Sequence, residues 1–449
     1  MKRVLLILLG FTLSVKLYAQ VPGELTFKDA VKIALRSNVN LNQQQNILVQ
    51  AEVNKNSSIA QLGPQVSING NTFRNDGNTF NSQRGEVVNG VLDVFQGQIS
   101  AQMPVFNGLK GVSTARQALN QRDAQTEFVR RTSQDVINIV STQFLQVLLD
   151  QQLLLITQEN KQLQEKQFEQ IKAQVELGSR SPVDEYNQQA QLKNAELQVL
   201  QAEFNLQNDK ANLSLTLQID PAIVYRVLEP EWDVNEVSID NTSMDELIPV
   251  AIANRGDLRM AQFNETASKY GMTAQRGNYF PSINAFYNYG SAYNNSHGTP
   301  DSLRRDFSQQ FFNDNTSQRF GLSFSIPIFT AFRNRASYVG AKVAYQNNQI
   351  NTKNMEITVK NDVIRAYRNF NSIQLAYAST QAQLEAADMA FKLERDRFDL
   401  GITSFVEFAN ANRIFIQSQT DMAQARYRLL FQRIMLDYSV GTLKFEDIP

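Results

Sequence analysis

The stretch RFGLSFSIPIFTAF, residues 319–332, decides the fold. Apolar residues occupy every second position from Phe320 to Ile328, and this alternation predicts a β-strand with one apolar face. Pro327 lies inside the alternation and cannot donate a ladder hydrogen bond, so it is expected to end the strand. No further proline follows before Pro449. The sequence therefore predicts a strand that passes directly into a long helix.

The same pattern occurs earlier in the chain, which indicates an internal duplication. Three pairs of segments match in the same order, one at an offset of 217 residues and two at an offset of 223. The pairs are VKIALRSNVNL (31–41) with IPVAIANRGDL (248–258), AQMPVFNG (101–108) with SFSIPIFTA (323–331), and ELGSRSPVDEY (176–186) with DLGITSFVEF (399–408). The mature chain is thus predicted to contain two copies of one unit.

Each copy is predicted to run helix, strand, strand, very long helix, turn, helix. The long helices cover about 109–176 and 332–399, because no proline interrupts either stretch. At 1.5 Å per residue, about 68 residues span about 100 Å, a length typical of coiled coils. The four strands are predicted at 64–74, 95–105, 281–293 and 318–328.

The strands have the alternation of a membrane barrel, with apolar residues outside and polar residues inside. Between Phe95 and Val105, apolar residues alternate with Gln and Ser. Four strands cannot close a barrel, since the smallest membrane barrels have about eight, and lipid does not tolerate open edges. Three chains would supply twelve strands, so a homotrimer is predicted. Aromatic residues near the strand ends suit an interfacial girdle; they are Tyr279, Phe280, Tyr287, Tyr289 and Tyr293.

The N-terminus has the features of a secretory signal. Lys2 and Arg3 precede the apolar run Val4–Val15, and Ala19 is a candidate cleavage position. We therefore divide the chain into a signal peptide at 1–19, a first repeat at 20–218, an equatorial inter-repeat segment at 219–242 and a second repeat at 243–445.

Composition excludes several classes of function. With 43 basic and 44 acidic residues the net charge is −1, so no nucleic-acid partner is expected. The chain has no cysteine, which excludes thiolate metal sites, cysteine nucleophiles and a lipidated N-terminal cysteine. No phosphate-binding loop, nucleophile–base set or metal-ligand cluster is recognisable. We predict that the protein is not an enzyme and uses no cofactor or metal.

Four motifs resemble those of the TolC-like outer-membrane efflux proteins, and the resemblance covers about residues 24–445. The motifs are ANRGDL (253–258), LGSRSPVDEYNQQAQL (177–192), LGITSFVEFANANRIF (400–415) and ARYRLLFQRIMLDYSVGTL (425–443). The resemblance implies a trimer with a twelve-stranded barrel in the outer membrane of a Gram-negative bacterium and a twelve-helix periplasmic tunnel. It also implies a periplasmic adaptor and an inner-membrane pump of the RND or ABC type, in an efflux or type I secretion system.

In that family the turns between long and short helices form the periplasmic tip, where the adaptor docks. The resemblance assigns this role to two short segments of the present chain. They comprise Leu177, Gly178, Ser179 and Arg180 in the first copy, and Leu400, Gly401, Ile402 and Thr403 in the second.

The resemblance also assigns the constriction of the tunnel. Glu407 occupies the position of the family's acidic ring, Asp184 is its counterpart in the first copy, and Asn410 replaces a second acid. The family's gate uses a tyrosine before the turn glycine and an arginine after it. The second copy has Phe398 and a threonine at these positions, whereas the first copy has Arg180. The gate is therefore expected to be bonded differently here.

Plainer interpretations exist for several of these residues. SPVD (181–184) and SFVE (404–407) are also capping boxes, with serine at the N-cap and a carboxylate three residues later. His297, the single histidine, is predicted to be solvated in an extracellular loop, without a catalytic or metal role. Trp232, the single tryptophan, is predicted to be a packing anchor.

The sequence leaves a choice between functions. The leading hypothesis is a passive export duct that an adaptor opens and another protein powers. The alternative is a structural periplasmic coiled-coil protein with β-hairpin caps, whose strands need not be apolar outside or about 10 residues long. A stand-alone porin is a third hypothesis, but its fold has no place for long helices.

Overall fold

A computed structural model describes residues 23–81, 85–220, 222–232, 243–297 and 304–447. The predicted signal peptide and residues 233–242 of the predicted inter-repeat segment lie outside these ranges. The described chain is mostly helical and contains one four-stranded sheet. This is the fold class that the sequence predicts.

The helices confirm the duplicated order of elements, because each helix of the first half has a partner of equal length in the second half. The first half contains α1 (Phe27–Ser37), α2 (Val39–Ala60), α3 (Lys110–Glu176) and α4 (Pro182–Leu217). The second half contains α5 (Met244–Asn254), α6 (Gly256–Gly277), α8 (Arg333–Asp399) and α9 (Phe405–Val440). The paired lengths are 11, 22, 67 and 36 residues. The two long helices begin one residue after their predicted starts.

The sheet is antiparallel, with neighbours in the order β2 (Gln65–Asn81), β3 (Glu86–Phe106), β5 (Ser282–Ser296) and β6 (Ser317–Ser325). Strands β2 and β3 have 17 and 21 residues, so their hairpin is longer than predicted. The extension is rich in Asn, Asp and Gly and lacks a continuous apolar signal, yet the backbone ladder continues to its end. Strand β6 is shorter than predicted and ends before Pro327.

Pro104 corresponds to Pro327 in the duplicated pattern, but it does not end its strand as Pro327 does. It lies inside β3 and pairs with Asn284 of β5. The pairing with β2 already ends at Gln102, so the missing N–H of Pro104 removes no bond on that side. A register shift follows between Pro104 and Phe106.

Both sheet-to-helix junctions contain two consecutive residues with left-handed backbone. These are Gly108 and Leu109 in the first half, and Ala331 and Phe332 in the second, with φ between 48° and 64°. A Cβ atom on Gly108 would lie 2.5 Å from the carbonyl oxygen of Gly277, so only glycine fits there. The strained turn therefore recurs at the offset of 223 residues that the sequence indicates.

The sheet has one apolar and one polar face, as the alternation predicts. Phe95 lies opposite Tyr293 and Ile99 lies opposite Tyr289, so these side chains share one face. The neighbouring positions carry amides and hydroxyls, and Nε2 of Gln98 donates to Oδ1 of Asn288 at 2.9 Å. The segregation of polarity suits a sheet with lipid on one side and water on the other.

A helical segment covers the edge of β5 beyond Gly290, where β6 no longer pairs with it. It consists of α7 (Phe307–Gln309) and a π-helical turn (Gln310–Asp314). The Gln310 side chain accepts from the backbone N–H of Asn294 and donates to its carbonyl, both at 3.1 Å. It thus substitutes for a neighbouring strand. Aromatic rings pack this segment onto the apolar face, namely Phe95, Tyr293, Phe307, Phe311 and Phe312.

His297 is exposed to solvent, as predicted, and is also bonded to the protein. Its Nε2 lies 2.7 Å from Oδ2 of Asp93, and Oδ1 of Asp93 accepts from Arg74 at 2.6 Å. Its backbone N–H donates to Val91 at 2.7 Å and extends the pairing of β3 with β5. The imidazole side chain remains half-exposed.

The chain divides into two compact units, each built from both halves of the sequence. One unit contains Gln43–Arg130 and Gly256–Thr358, and therefore the whole four-stranded sheet. The other contains Met1–Asn42, Arg131–Arg255 and Val359–Pro449. Helices α3 and α8 contribute to both units.

The second of these units has an aromatic core around Phe27 of α1. Its ring meets Phe144, Trp232 and Phe431 at centroid distances of 5.2–5.4 Å. Trp232 also lies 4.9 Å from Phe431. Trp232 is therefore a packing residue, as predicted. Nearby in the chain, β1 (Glu24–Leu25) pairs in parallel with β4 (Arg226–Val227), a contact that the sequence does not predict.

Arg255 of the ANRGDL motif is a buried structural residue in the same unit. Only 2% of it is exposed. Its Nη1 donates to the Ser439 carbonyl at 2.9 Å, and its Nη2 donates to Oδ2 of Asp362 at 3.1 Å. The guanidinium thus satisfies a carbonyl at the C-terminal end of α9 and joins that end to α8.

Candidate functional site

The two turns predicted as the tip have the same geometry and close the long helix pairs α3–α4 and α8–α9. Gly178 and Gly401 have φ of 71° and 72°. The N–H of Ser179 donates to the Gln174 carbonyl and the N–H of Ile402 donates to Arg397, both at 2.8 Å. The N–H of Gly178 donates to the Val175 carbonyl at 2.9 Å, and the N–H of Gly401 donates to the Phe398 carbonyl at 3.0 Å. The two hydrogen bonds in each turn together form a Schellman motif. Glycine ends each long helix because the turn needs a left-handed residue.

Glu407 forms a complete capping box with Ser404 at the start of α9. The Ser404 N–H donates to Oε2 of Glu407 at 3.1 Å, and the Glu407 N–H donates to Oγ of Ser404 at 3.3 Å. Thr403 Oγ1 also donates to the carboxylate, at 2.5 Å. The hydrogen bonds from Thr403 and then from Ser404 lower the pKa of Glu407. The exposed Glu407 side chain is therefore an anion at neutral pH as well as a cap.

The corresponding cap in the first half is incomplete, although the sequence predicts a capping box there too. Ser181 Oγ accepts from the N–H of Val183 at 3.2 Å, one residue earlier than in the second half. Pro182 occupies the first helical position, as predicted. The Asp184 N–H instead donates to the Ser181 carbonyl at 3.0 Å. The two carboxylates that the sequence pairs by position thus differ in their bonding.

Arg180 and Phe398, the two gate candidates, are in contact. Nη2 of Arg180 donates to the Phe398 carbonyl at 2.9 Å, and the guanidinium carbon lies 4.0 Å from the centre of the Phe398 ring. The carbonyl belongs to the last turn of α8, where a cation is electrostatically favoured. The turn around Gly178 is therefore tethered to the C-terminal end of α8, the helix that precedes the turn around Gly401.

Phe398 also belongs to a small aromatic core next to the turns. Its ring stacks on Phe408 at 4.8 Å, and Phe391 stacks on Phe415 at 5.1 Å. Ile171 of α3 completes this core. This core is not among the features predicted from the sequence. The available signal was the spacing of seven residues within both pairs Phe391/Phe398 and Phe408/Phe415.

Asn410, the position expected to weaken the acidic ring, is bonded within its own helix. Its Oδ1 accepts from Nη2 of Arg413 at 2.9 Å. A cationic side chain therefore lies next to the position where the family has a second acid. Among the described residues, no group of three or more His, Cys, Asp or Glu side chains could hold a metal ion.

The fold and the site define a class of protein. A sheet with an apolar face is joined to two pairs of long helices, and matched glycine turns end those pairs. The model of the outer membrane efflux protein family matches residues 30–217 and 247–442. The chain belongs to that family.

Individual relatives agree with this assignment. The outer membrane protein TolC of Vibrio cholerae is 24% identical over 399 residues, which cover 87% of this chain and 85% of TolC. The crystal structure of VceC from Vibrio cholerae superimposes with a TM-score of 0.80 at 13% identity, covering 92% of this chain and 96% of VceC. CusC gives a TM-score of 0.79 at 17% identity, covering 92% of both chains. The chain therefore has the fold of outer-membrane channels and is an outer-membrane efflux protein.

Proposed function

We propose that this chain is the outer-membrane channel-tunnel of a tripartite efflux or type I secretion system. In this role it conducts substrates passively from an inner-membrane pump of the RND or ABC type, through a periplasmic adaptor, to the exterior. Family membership and likeness to TolC support this role. The main observation in its support is the same in both halves of the chain. Two strands of a sheet with one apolar and one polar face lead into a 67-residue helix.

The working assembly is a homotrimer. The sheet has four strands and open outer edges on β2 and β6, and such edges cannot remain unpaired in lipid. Their directions allow the β6 edge of one copy to pair antiparallel with the β2 edge of the next. Three copies give a closed barrel of twelve strands, a number within the range of membrane barrels.

The Schellman turns around Gly178 and Gly401 are the proposed docking points of the adaptor. They lie at the ends of the helix pairs, away in sequence from the strands. Leu177 and Leu400 are 83% and 75% exposed, and Ile402 is 64% exposed. Exposed apolar side chains on rigid turns suit contact with another protein. The tether between Arg180 and Phe398 holds the turns in the closed arrangement until the adaptor binds.

Attachment to the outer membrane is assigned to the barrel strands, whose apolar face suits contact with lipid. We keep the division into a signal peptide at 1–19, repeats at 20–218 and 243–445 and an equatorial segment at 219–242. The role is that of a conduit without enzymatic activity.

The coiled-coil alternative is less well supported. Capping hairpins need neither strands of 17 and 21 residues nor one continuous apolar face. The exposed Val66, Ile68, Phe320, Leu322 and Phe324 side chains would be a liability on a periplasmic protein.

Planar bilayer recordings test the proposed function. The purified protein should form cation-selective channels that trivalent cations block from the periplasmic side. Glu407 supplies the charge: three copies face one another across a narrow tunnel, so the ring attracts multivalent cations. Asn410 makes this preference weaker than a double ring would. A protein that inserts into the bilayer without conducting would contradict the proposal.

Glu407→Gln separates the pore role from the capping role. Glutamine still serves a capping box, so the melting temperature should change little, whereas the trivalent block should be lost. Asp184→Asn in the incomplete first cap is the matched control and should have a smaller effect on block. If Glu407→Gln lowers stability but leaves selectivity and block unchanged, the carboxylate is only a helix cap.

A further inference from the structure

Strands β2 and β6, the two edges that the proposed homotrimer brings together, differ in length. Strand β2 has 17 residues, whereas β6 has 9. When β6 of one copy pairs with β2 of the next, at least eight residues of β2 therefore have no strand partner on that side. An unpaired edge of this length presents a row of backbone N–H and C=O groups, which is a liability in lipid and in water.

The directions of the strands determine where the unpaired part of β2 lies. Gln65 at the start of β2 follows α2, and Ser325 at the end of β6 precedes α8, so both ends lie next to helices. Antiparallel pairing then places the residues before Ser317 beside the part of β2 that runs towards Asn81. The residues before Ser317 form the helical segment 307–314. That segment is thus adjacent to the unpaired edge of the next copy.

The helical segment 307–314 and the residue after it already replace a strand at the edge of β5. The Gln310 side chain bonds to both the N–H and the carbonyl of Asn294. Nδ2 of Asn315 donates to the Ala292 carbonyl at 2.7 Å. Both bonded positions lie beyond the last pair of β5 with β6. Side chains on one side of the segment therefore satisfy a backbone edge that has no strand beside it.

Phe311 holds the same segment on the apolar face of the sheet. A Cβ atom on Gly97 of β3 would lie 2.8 Å from Cζ of Phe311, so the missing side chain of Gly97 makes room for that ring. Ser291 Oγ donates to the Phe311 carbonyl at 2.5 Å. The segment is therefore anchored through a ring as well as through its hydrogen bonds to β5.

Other side chains of the segment are exposed and suit a second strand edge. Phe312 is 64% exposed, although its ring contacts the rings of Phe307 and Phe311. Asn313 is also exposed. Its amide can donate to a carbonyl and accept from an N–H, which is the chemistry that Gln310 uses on β5. An apolar ring and an amide are thus available next to the proposed position of β2.

The exposed end of β2 carries side chains that complement Phe312. Arg74 and Phe80 lie on the same face of β2 as Ile68, which is the apolar face of the sheet. Both side chains are exposed, at 62%. An aromatic ring can stack on a guanidinium or on another ring, so either residue of a neighbouring copy suits contact with Phe312.

We propose that the helical segment 307–314 of one copy packs against the unpaired edge of β2 of the next copy. The partner is a second copy of this chain, and the proposal rests on the proposed homotrimer. It adds a surface that joins neighbouring copies beyond the N-terminal end of β6, where strand pairing stops. Phe312 covers the outward-facing side chains of β2, and Asn313 bonds to its backbone.

Cysteine crosslinking between copies tests the contact, because the chain has no cysteine of its own. Phe312→Cys is combined with Asp76→Cys or with Asn78→Cys, which lie on the same face of β2 as Arg74. Phe312→Cys with Ile68→Cys is the matched control, since Ile68 lies on that face at the other end of β2. Oxidation in outer-membrane vesicles should give covalent dimers and trimers on denaturing gels for at least one of the first two pairs, and only monomers for the control.

Releasing the segment from β5 supplies a second readout. Gln310→Leu removes both hydrogen bonds to Asn294, so the yield of the crosslink from position 312 should fall about tenfold. The trimer should persist in this variant, because β6 still pairs with β2. Gln309→Leu is the matched control and should leave the yield unchanged, since Nε2 of Gln309 donates to Asp314 within the segment at 3.3 Å.

Native mass spectrometry of the same preparations separates this proposal from the proposed function. Crosslinks to position 76 or 78 that Gln310→Leu weakens would support the contact. A trimer without either crosslink, or with equal crosslinking of the Ile68→Cys control, would overturn the contact and leave the channel intact. Absence of a trimer would overturn both proposals.

Discussion

Combining Gly178→Val with Gly401→Val is expected to abolish efflux while the protein still assembles in the outer membrane. Both glycines have left-handed backbone, with φ of 71° and 72°. A β-branched residue is strained there by at least about 1–2 kcal/mol, so the Schellman turns should rearrange. A Cβ atom at either position would meet nothing within 4 Å, which limits the damage to the turns themselves. The loss should appear as dye accumulation in cells that also express the matching adaptor and pump.

Asparagine at the same two positions is the matched control. It tolerates left-handed backbone better than other residues with a side chain, so Gly178→Asn with Gly401→Asn should retain most of the efflux. Trimer content of the outer membrane is measured in parallel for both variants. Persistent efflux in the double valine variant would mean that the adaptor docks elsewhere.

Arg180→Ala should shift the isolated channel towards its open state. The guanidinium ties the first tip turn to the Phe398 carbonyl and ring. A cation–π contact of this kind contributes about 0.5–1 kcal/mol, so three copies acting together should change the ratio of open to closed channels by about tenfold or more. Single-channel recordings should show longer openings or a higher conductance than wild type.

Arg180→Lys distinguishes the tether from charge alone. Lysine keeps the positive charge but lacks the planar group that stacks on Phe398 and donates in a fixed direction, so it should give an intermediate phenotype. Phe398→Leu should also increase opening, because it removes the ring but keeps most of the buried volume. Arg180→Ala channels with wild-type conductance and opening times would rule out the tether as a gate.

The sequence predicts most of the helical architecture because its signals are local. Gly178 and Gly401 mark the ends of α3 and α8 closely, since a left-handed turn favours glycine. The starts at Lys110 and Arg333 follow from the position of the prolines and the absence of later ones. Because the pattern occurs twice, the ends of the corresponding helices can be predicted in each half of the chain and compared.

The remaining features depend on contacts between distant segments. The polar end of the β2–β3 hairpin has no continuous apolar pattern, so its length follows only from backbone pairing. The contact of Arg180 with Phe398 joins residues 218 positions apart. Asp184 and Glu407 match by alignment, yet their caps differ.

The mass of the native assembly in the outer-membrane fraction tests the central claim most directly. In the proposed homotrimer, the open edges on β2 and β6 of three chains pair with one another and give twelve strands. Native mass spectrometry in detergent, supported by crosslinking in intact membranes, should therefore give a stable homotrimer. A monomer in the soluble fraction, or crosslinking that saturates at any number other than three, would contradict the account.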